Sequence, residues 1–342
     1  MALNIFHCYA NDNNLGDVGS AEGIKYLIRE HIDTQAAFED FFIAYQDFDS
    51  ATIARVNRDF DCVVVGGGGL YWPYAKKTLL RLSYRALKGI KKPIFLYGVG
   101  LNYEAKDEKR YKRMMKKIQH LHDYVTLSSV RDVMSQMELA SKGIPTDLVP
   151  CPSMFLSPIP FELAFTEKKK IGFVLVPLSR LSTLAAQNYI RTLVATISVL
   201  HTEYACYLIA HTKQVTDSYL SLRQRVDIPL LFSSSAQQLM GAYSQMDYLV
   251  GSRGHMGIFA LGAGKPFLNI SYNIKCDAFV DMVGYPSLFS VALQDITPEV
   301  LLSLFAELQG DENTVRTLLS KKRAEYLEKN IYFLKKMSQL IT

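Results

Sequence analysis

The feature that most constrains the fold is a repeated alternation of short apolar runs with helical segments. Runs such as 61–65, which is apolar after Asp61, and 94–99 are typical of strands buried on both faces of a parallel sheet. Parallel neighbours must be joined by a crossover, and a helix usually supplies it. The alternation therefore predicts an α/β protein built from βαβ units.

A segment rich in proline and then in charge divides this alternation into two halves. Pro152, Pro158 and Pro160 are followed by a charged run at 166–170, and both are signals of a linker. We predict two Rossmann-like domains that face each other across a cleft, an N-terminal domain at 1–155 and a C-terminal domain at 165–315. A helix at 316–342 follows and can pack back on the first domain.

Composition excludes several classes of protein. The chain has 342 residues, of which 49% are hydrophobic and 21% charged, values that are usual for soluble globular proteins. Five scattered cysteines form no C-x-x-C pair, so neither a disulfide framework nor a zinc site is indicated. We find no signal peptide and no apolar run of about 18 residues. These features favour a cytoplasmic protein without a metal.

The stretch 249–275 combines three side chains suited to an anionic ligand. It is predicted to form a buried strand, a turn with Arg253 and His255, a helix of small residues, a second strand and a loop ending at Lys275. Arginine offers a planar fork to carboxylate or phosphate, and histidine exchanges a proton near neutral pH. A free helix N-terminus adds backbone N–H donors. We therefore predict an anion site formed by Arg253, His255 and Lys275.

Two polar residues follow the first predicted strand, in a turn-rich segment at 11–17 before a helix from about residue 20. Open α/β sheets bind ligands at the carboxyl ends of their strands. Asn14 and Asp17 could orient sugar hydroxyls there, and Asp17 could act as a base. The alternative is that both residues are turn formers and helix caps.

A run of four glycines, 66–69, follows the buried strand 61–65. Gly67 and Gly68 could present backbone amides to a ligand, although the run fits neither the dinucleotide fingerprint nor a P-loop. Tyr71 and Trp72 come next and could stack on a sugar ring or simply pack over the loop.

Arg131 lies at the end of another predicted strand. It could clamp an anion, or it could form a salt bridge with Asp132, which follows it directly. His211 occupies a similar position after strand 204–210, where a bond to the backbone is the simpler interpretation.

The net charge of +5 is unevenly distributed, because residues 76–117 contain 14 Lys or Arg and 3 Asp or Glu. Arg81, Arg85, Lys88 and Lys92 fall at helical spacing. This stretch could contact an anionic membrane surface or be an ordinary solvated face. No nucleic-acid-binding motif accompanies it, so we predict no nucleic-acid partner.

Five short motifs, taken in order, give the chain a resemblance to the polysaccharide pyruvyl transferase family. The motifs are Asn14-Leu15-Gly16-Asp17, Val65-Gly66-Gly67-Gly68-Gly69-Leu70, Ser129-Val130-Arg131-Asp132, Ser252-Arg253-Gly254-His255, and Gly264-Lys265-Pro266 leading to Tyr272 and Lys275. The resemblance implies a fold similar to the two-domain glycosyltransferases of the GT-B type, with the domain at 1–155 on the acceptor side and the domain at 165–315 on the donor side. One departure is Cys151-Pro152, where members of the family usually have Asp-Pro.

The resemblance also implies a reaction. The family transfers a pyruvyl group from phosphoenolpyruvate to two hydroxyls of a sugar, in a surface polysaccharide or its lipid-linked precursor, forming a cyclic ketal and releasing phosphate. Phosphoenolpyruvate is then a donor substrate and no cofactor is expected. Arg253 and His255 match the family's Arg-x-His element, and Arg131 matches its upstream arginine. A cytoplasmic enzyme at the inner face of the membrane would fit such an acceptor.

Two other functions remain open at this stage. A GT-B glycosyltransferase could use a nucleotide-sugar donor on the same architecture, although no clear glutamate for a ribose follows Gly264. A non-catalytic protein that binds glycans or anions is the second alternative. The joint presence of Arg131, Arg253 and His255 argues against it.

Overall fold

The computed structural model describes residues 2–46, 48–71, 84–101, 108–213, 216–285 and 289–341, without the side chains of 84–86 and 274–275. The chain divides into two compact units. Unit 1 comprises Met1–Asp12, Asp17–Phe155 and Glu325–Thr342, and unit 2 comprises Asn13–Gly16 and Leu156–Ala324.

Unit 1 contains a six-stranded parallel sheet of order β2-β1-β3-β4-β5-β6. Its strands are β1 (Asn4–Tyr9), β2 (Ala37–Phe42), β3 (Cys62–Tyr71), β4 (Ile94–Leu101), β5 (Leu127–Val130) and β6 (Asp147–Leu148). Its connecting helices are α1 (Leu15–His31), α2 (Ser50–Asp59), α3 (Tyr84–Gly89), α4 (Glu108–His122) and α5 (Val133–Ala140). The strand order reverses between β1 and β3, so ligand-facing segments are expected after these two strands.

The central strands β3 and β4 each contribute several buried residues to the core of unit 1. Val65 and Leu96 are fully buried, and α4 covers them with Met114, Ile118 and neighbouring apolar residues. The opposite side of α4 is polar, so the helix is amphipathic and lies with one face on the sheet.

Unit 2 contains a second six-stranded parallel sheet, of order β12-β11-β10-β7-β8-β9. Its strands are β7 (Lys170–Val174), β8 (Ala205–Ala210), β9 (Leu230–Phe232), β10 (Tyr248–Gly251), β11 (Phe267–Ser271) and β12 (Ser290–Ala292). Its helices are α6 (Thr183–Leu200), α7 (Asp217–Arg223), α8 (Ala236–Ser244), α9 (Gly254–Ala263), α10 (Ile274–Val283) and α11 (Pro298–Gly310). Here the strand order reverses between β7 and β10.

The last helix, α12 (Glu312–Ser338), contributes its second half to unit 1. The Tyr97 hydroxyl donates to Asn330 Oδ1 at 2.8 Å, and Asn330 Nδ2 donates to the Pro150 carbonyl at 3.2 Å. Phe333 packs on the Tyr97 ring with centroids 5.0 Å apart. The 3-10 turn Pro152–Phe155 ends the first long segment of this unit.

The predicted fold class is confirmed, since the chain forms two parallel α/β sheets and a C-terminal helix. Two local predictions differ. The glycines 66–69 belong to β3 instead of a loop, and α1 begins at Leu15, which places Asp17 in its first turn. Strand β2 and helix α2 had no clear sequence signal. In the described residues no helix is long and apolar enough to cross a membrane.

Candidate active site

The arginine at the end of β10 is fixed by a buried hydroxyl network. Ser252 is fully buried. Its hydroxyl lies 2.6 Å from the Tyr189 hydroxyl and accepts a hydrogen bond from the Val176 backbone N–H at 3.0 Å. Arg253 follows in extended conformation at the N-cap of α9, and its side chain caps no backbone group. The local sequence therefore frees this guanidinium for another partner.

Arg253 carries an unused donor. Its Nη1 atom is buried and has no hydrogen-bond partner among the described residues. Leaving a buried charged donor unsatisfied costs about 1–3 kcal/mol or more, and an anionic ligand would remove that cost. This atom is the clearest indication of a ligand site in unit 2.

The sheet order places further candidate groups beside Arg253. Strands β11, β10, β7 and β8 are neighbours, and their carboxyl ends lead to Tyr272, Arg253, Arg180 and His211. Burial raises the pKa of Tyr272, and the positive charges of Arg253 and Arg180 oppose that shift. The carboxyl edge of this sheet is therefore electropositive at its switch point, where α/β proteins bind ligands.

Contrary to the simpler interpretation of its position, the His211 ring bonds a side chain instead of the backbone. Nε2 lies 2.5 Å from the Tyr243 hydroxyl, and Nδ1 is buried without a partner among the described residues. Burial lowers the pKa of His211 well below its usual value, and Arg253 and His255 add to this shift. The ring is therefore neutral near pH 7 and adds no positive charge beside Arg253.

His255 is the second residue of α9, one position beyond Gly254. Its ring packs directly on Gly16 of the Asn13–Gly16 segment, which belongs to unit 2. Lys275 is the second residue of α10, and its side chain lies outside the described residues. The structure thus brings Arg253 and His255 to the start of one helix.

Asn14 and Asp17 have different surroundings. The Asn14 Oδ1 atom accepts a hydrogen bond from the Gly16 backbone N–H at 3.2 Å, the local bond expected of a turn former. Asp17 lies in the first turn of α1, where a carboxylate complements the helix dipole. Its Oδ1 atom lies 2.9 Å from the position that a Cβ on Gly68 would occupy.

The glycines of β3 let α1 approach the sheet closely. Gly68 has a φ of 100°, a left-handed conformation that favours glycine. A Cβ on Gly67 would lie 2.8 Å from the Ser20 Cβ. Gly67 and Gly68 are buried, so close packing explains these glycines and also fixes the position of Asp17.

Of the two aromatic residues after the glycines, Tyr71 lies in the core and Trp72 is not among the described residues. Tyr71 is fully buried, and its hydroxyl lies 3.0 Å from His122 Nε2. This is the packing interpretation, since a buried ring cannot stack on a sugar in this conformation.

Arg131 has a carboxylate beside it. Its Nε lies 3.6 Å from the Asp132 carboxylate, and the two side chains are 13% and 14% exposed. Gly100 makes room for the guanidinium, because a Cβ there would lie 2.7 Å from Arg131 Cζ. The salt-bridge interpretation therefore holds in this structure, and the role of Arg131 in donor binding stays a prediction.

The Cys151 sulfur is buried between two serine hydroxyls. Its Sγ lies 3.0 Å from the Ser20 hydroxyl and 3.3 Å from the Ser153 hydroxyl, and all three residues are buried. Sequence alone did not identify these two serine partners. The contacts favour a structural role for this position, which leaves the candidate site residues unaffected.

The basic stretch is described only in part. Helix α3 ends at Gly89, so Lys92 lies beyond it, and Arg81 lies outside the described residues. Helix α4 carries a row of exposed cations, which we call the α4 basic face. It consists of Lys109, Arg110, Lys112, Arg113, Lys116 and Lys117. Within the described ranges no three His, Cys, Asp or Glu side chains cluster as metal ligands would.

Comparison with solved structures defines the class of protein. A UDP-N-acetylglucosamine 2-epimerase from Neisseria meningitidis is 11% identical, with a TM-score of 0.59 over 96% of this chain and 100% of that one. The glycosyltransferase SnogD from Streptomyces nogalater is 12% identical, with a TM-score of 0.51 over 100% of both chains. At such identities the likeness concerns the fold alone, which is GT-B-like.

A sequence profile identifies the family. The profile of the polysaccharide pyruvyl transferases matches residues 14–274, and the chain belongs to this family. The matched range includes Asn14, Arg131 and His255 and ends one residue before Lys275. No curated protein matches the chain.

Proposed function

We propose that this protein transfers a pyruvyl group from phosphoenolpyruvate to two hydroxyls of a sugar, in a surface polysaccharide or its lipid-linked precursor. The observation that carries the proposal is the buried Nη1 of Arg253, which has no hydrogen-bond partner in the described part of the chain. It lies near His255 in the sequence, at the start of α9, in a member of the pyruvyl transferase family. The donor brings a carboxylate and a phosphate, and a guanidinium fork binds either group well.

The reaction requires protein groups that stabilise the charge of the donor and transfer protons. A proton adds to the methylene carbon of phosphoenolpyruvate, which makes C2 electrophilic, and the first sugar hydroxyl adds to C2 and releases its proton. The second hydroxyl then attacks C2 and loses its proton, while the C2–O bond to phosphate breaks. Arg253 offsets the negative charge of the donor. His255 serves as the general acid or as a contact to the phosphate.

The acceptor side is assigned to groups of unit 1 and to Asn14. Asp17 is the proposed base for a sugar hydroxyl, supported by its place in the first turn of α1 against Gly68. Gly67 and Gly68 shape its surroundings. We keep Arg131 and Lys275 as proposed donor ligands on the strength of the family motif.

The first experiment compares ligands by thermal stabilisation. Phosphoenolpyruvate at millimolar concentration should raise the melting temperature, because a ligand that binds only the folded state stabilises it. The increase should vanish in Arg253→Ala and persist in Arg223→Ala, which removes an exposed arginine of the same unit. UDP-sugars form the comparison arm, since structural neighbours are described with UDP and UDP-N-acetylglucosamine.

The outcomes separate the competing functions. Stabilisation by phosphoenolpyruvate, with phosphate release once a sugar acceptor is added, supports pyruvyl transfer. Stabilisation by a nucleotide sugar alone overturns it in favour of glycosyl transfer. An Arg253→Ala protein that is folded and binds phosphoenolpyruvate normally would contradict the site assignment.

The location follows from the acceptor and from charge. We place the protein in the cytoplasm, with the α4 basic face against the anionic inner surface of the membrane, where each Lys or Arg contributes about 1 kcal/mol. The double variant Lys109→Glu/Lys116→Glu should weaken sedimentation with phosphatidylglycerol vesicles. Lys321→Glu/Lys335→Glu, on exposed positions of α12, changes the charge equally and should have little effect. Equal losses would show that net charge alone matters.

A further inference from the structure

A close contact inside unit 2 joins Gly16 to His255. A Cβ atom on Gly16 would lie 2.5 Å from the Cγ and 3.0 Å from the Cβ of His255, and nearer still to Nδ1. Packed interiors do not accommodate such an overlap without displacement. We propose that Gly16 is a positioning residue, whose missing side chain sets the place of the His255 imidazole. The inference rests on the proposed function for the role of His255.

The backbone of Gly16 cannot easily retreat from the ring. The Leu15 N–H donates to the His211 carbonyl at 3.0 Å, and the Lys213 N–H donates to the Asn13 carbonyl at 3.1 Å. These bonds attach the Asn13–Gly16 segment to the end of β8. A methyl group on Gly16 would therefore be held against the histidine.

The backbone of His255 is equally constrained. The Met256 N–H donates to the Arg253 carbonyl at 2.8 Å, and the preceding Ser252 is held by Tyr189. The overlap includes the His255 Cβ, which does not move when the side chain rotates. An added methyl group must therefore turn the imidazole into another rotamer or shift the start of α9.

A displaced imidazole should reduce turnover more than donor binding. Misplacing a catalytic group by about 1 Å can cost roughly 100-fold in rate, so Gly16→Ala should lower kcat by about that factor. If His255 is the general acid, the affinity for phosphoenolpyruvate should change much less, because Arg253 supplies the guanidinium. Gly310→Ala is the matched control, since a Cβ there meets no atom within 4 Å.

A double-variant cycle tests whether Gly16 acts through His255. In a His255→Gly background the ring and Cβ are gone, so Gly16→Ala should cause no further loss of kcat. Losses that multiply would show that Gly16 contributes independently, and would overturn the proposal. If Gly16→Ala alone does not fold, Gly16→Ala/His255→Gly should fold, and an equally unfolded double variant would also overturn it.

A spectroscopic readout separates this proposal from the proposed function. The ring resonances of His255, assigned by their loss in His255→Gly, should shift in Gly16→Ala and stay fixed in Gly310→Ala. If the His255 resonances shift but the protein neither binds phosphoenolpyruvate nor transfers a pyruvyl group, the contact between Gly16 and His255 is supported and the proposed function is rejected. Unchanged resonances and unchanged kcat in an active Gly16→Ala enzyme would reject the positioning role.

Discussion

Arg131 and Arg253 occupy equivalent places in the two units, yet their surroundings differ. Each follows a buried strand, β5 or β10, and each precedes a helix, α5 or α9. Asp132 follows Arg131, and its carboxylate lies near the guanidinium and also accepts the Ser135 N–H at 2.7 Å. Gly254 follows Arg253 and offers neither an ion partner nor a cap. The residue after the arginine thus accounts for one difference between them: Arg131 is paired with its neighbour, whereas Arg253 Nη1 has no hydrogen-bond partner among the described residues.

The largest expected effect comes from replacing each arginine by lysine. Arg253→Lys keeps the charge but loses at least one charge-assisted hydrogen bond, worth roughly 1.5–3 kcal/mol, so the affinity for phosphoenolpyruvate should fall by about 10- to 150-fold. Arg131→Lys should cost less, because lysine can keep the ion pair with Asp132. Titration calorimetry with phosphoenolpyruvate measures both changes. Equal losses would show that the two arginines serve the donor alike.

A second test uses acid to probe the interior of unit 1. His7 is fully buried, and its Nε2 bonds the Gly66 carbonyl at 2.7 Å, beneath the glycines that adjoin Asp17. Burial, together with the charge of Lys25, lowers the pKa of His7 to about 4. Below pH 6.5 His7 of the unfolded chain is protonated, whereas His7 of the folded chain stays neutral down to about pH 4. The free energy of unfolding therefore decreases as the pH is lowered from 6.5 to about 4. At pH 5 the loss from His7 is about 2 kcal/mol.

The measurement is urea unfolding at pH 7 and pH 5. His7→Gln should show a loss on acidification that is smaller by about 2 kcal/mol, whereas His201→Gln, at an exposed position, should behave like the parent protein. His122, whose pKa burial also lowers to about 4, adds a similar loss in every variant. An unchanged pH dependence in His7→Gln would rule out His7 as a source of acid sensitivity.

The smallest expected effect comes from making Arg131 resemble Arg253. Asp132→Asn removes the ion partner and retains an N-cap, since asparagine caps helices about as well as aspartate. The contact is long, at 3.6 Å, and joins adjacent residues, so we expect roughly the 0.2–1 kcal/mol of a weak ion pair and little change in the melting temperature. If Arg131 binds the donor, freeing it should improve affinity by no more than about fivefold. A large loss of affinity would assign Asp132 itself to the site.

Sequence reasoning succeeded where a pattern has one physical solution. Unbroken apolar runs can only be buried strands in an α/β protein of this composition, so the two parallel sheets were predictable. It failed where the outcome depends on tertiary neighbours. The glycines 66–69 continue β3 by pairing with β4, and α1 packs closely on Gly67 and Gly68. No local signal in the run shows either neighbour.

The candidate site shows the same limit. Arg253 and His255 could be selected because one short motif carries both. Nη1 of Arg253 has no hydrogen-bond partner in the ranges that the structure describes. The bond of His211 to Tyr243 and the contact of Gly16 with His255 join residues far apart in the chain. Such partners follow only from the arrangement of the strand ends.

The second half of α12 has a consequence for protein synthesis. Unit 1 is completed by Glu325–Thr342, which bonds Tyr97 and Pro150 through Asn330, yet the ribosome makes these residues only after 156–324 of unit 2. Unit 1 therefore cannot be completed, and the surface around Tyr97 that α12 covers stays exposed, until the whole of unit 2 has been translated. Nascent chains stalled before Glu325 should expose this apolar surface to chaperones, even though the strands of unit 1 have already been made.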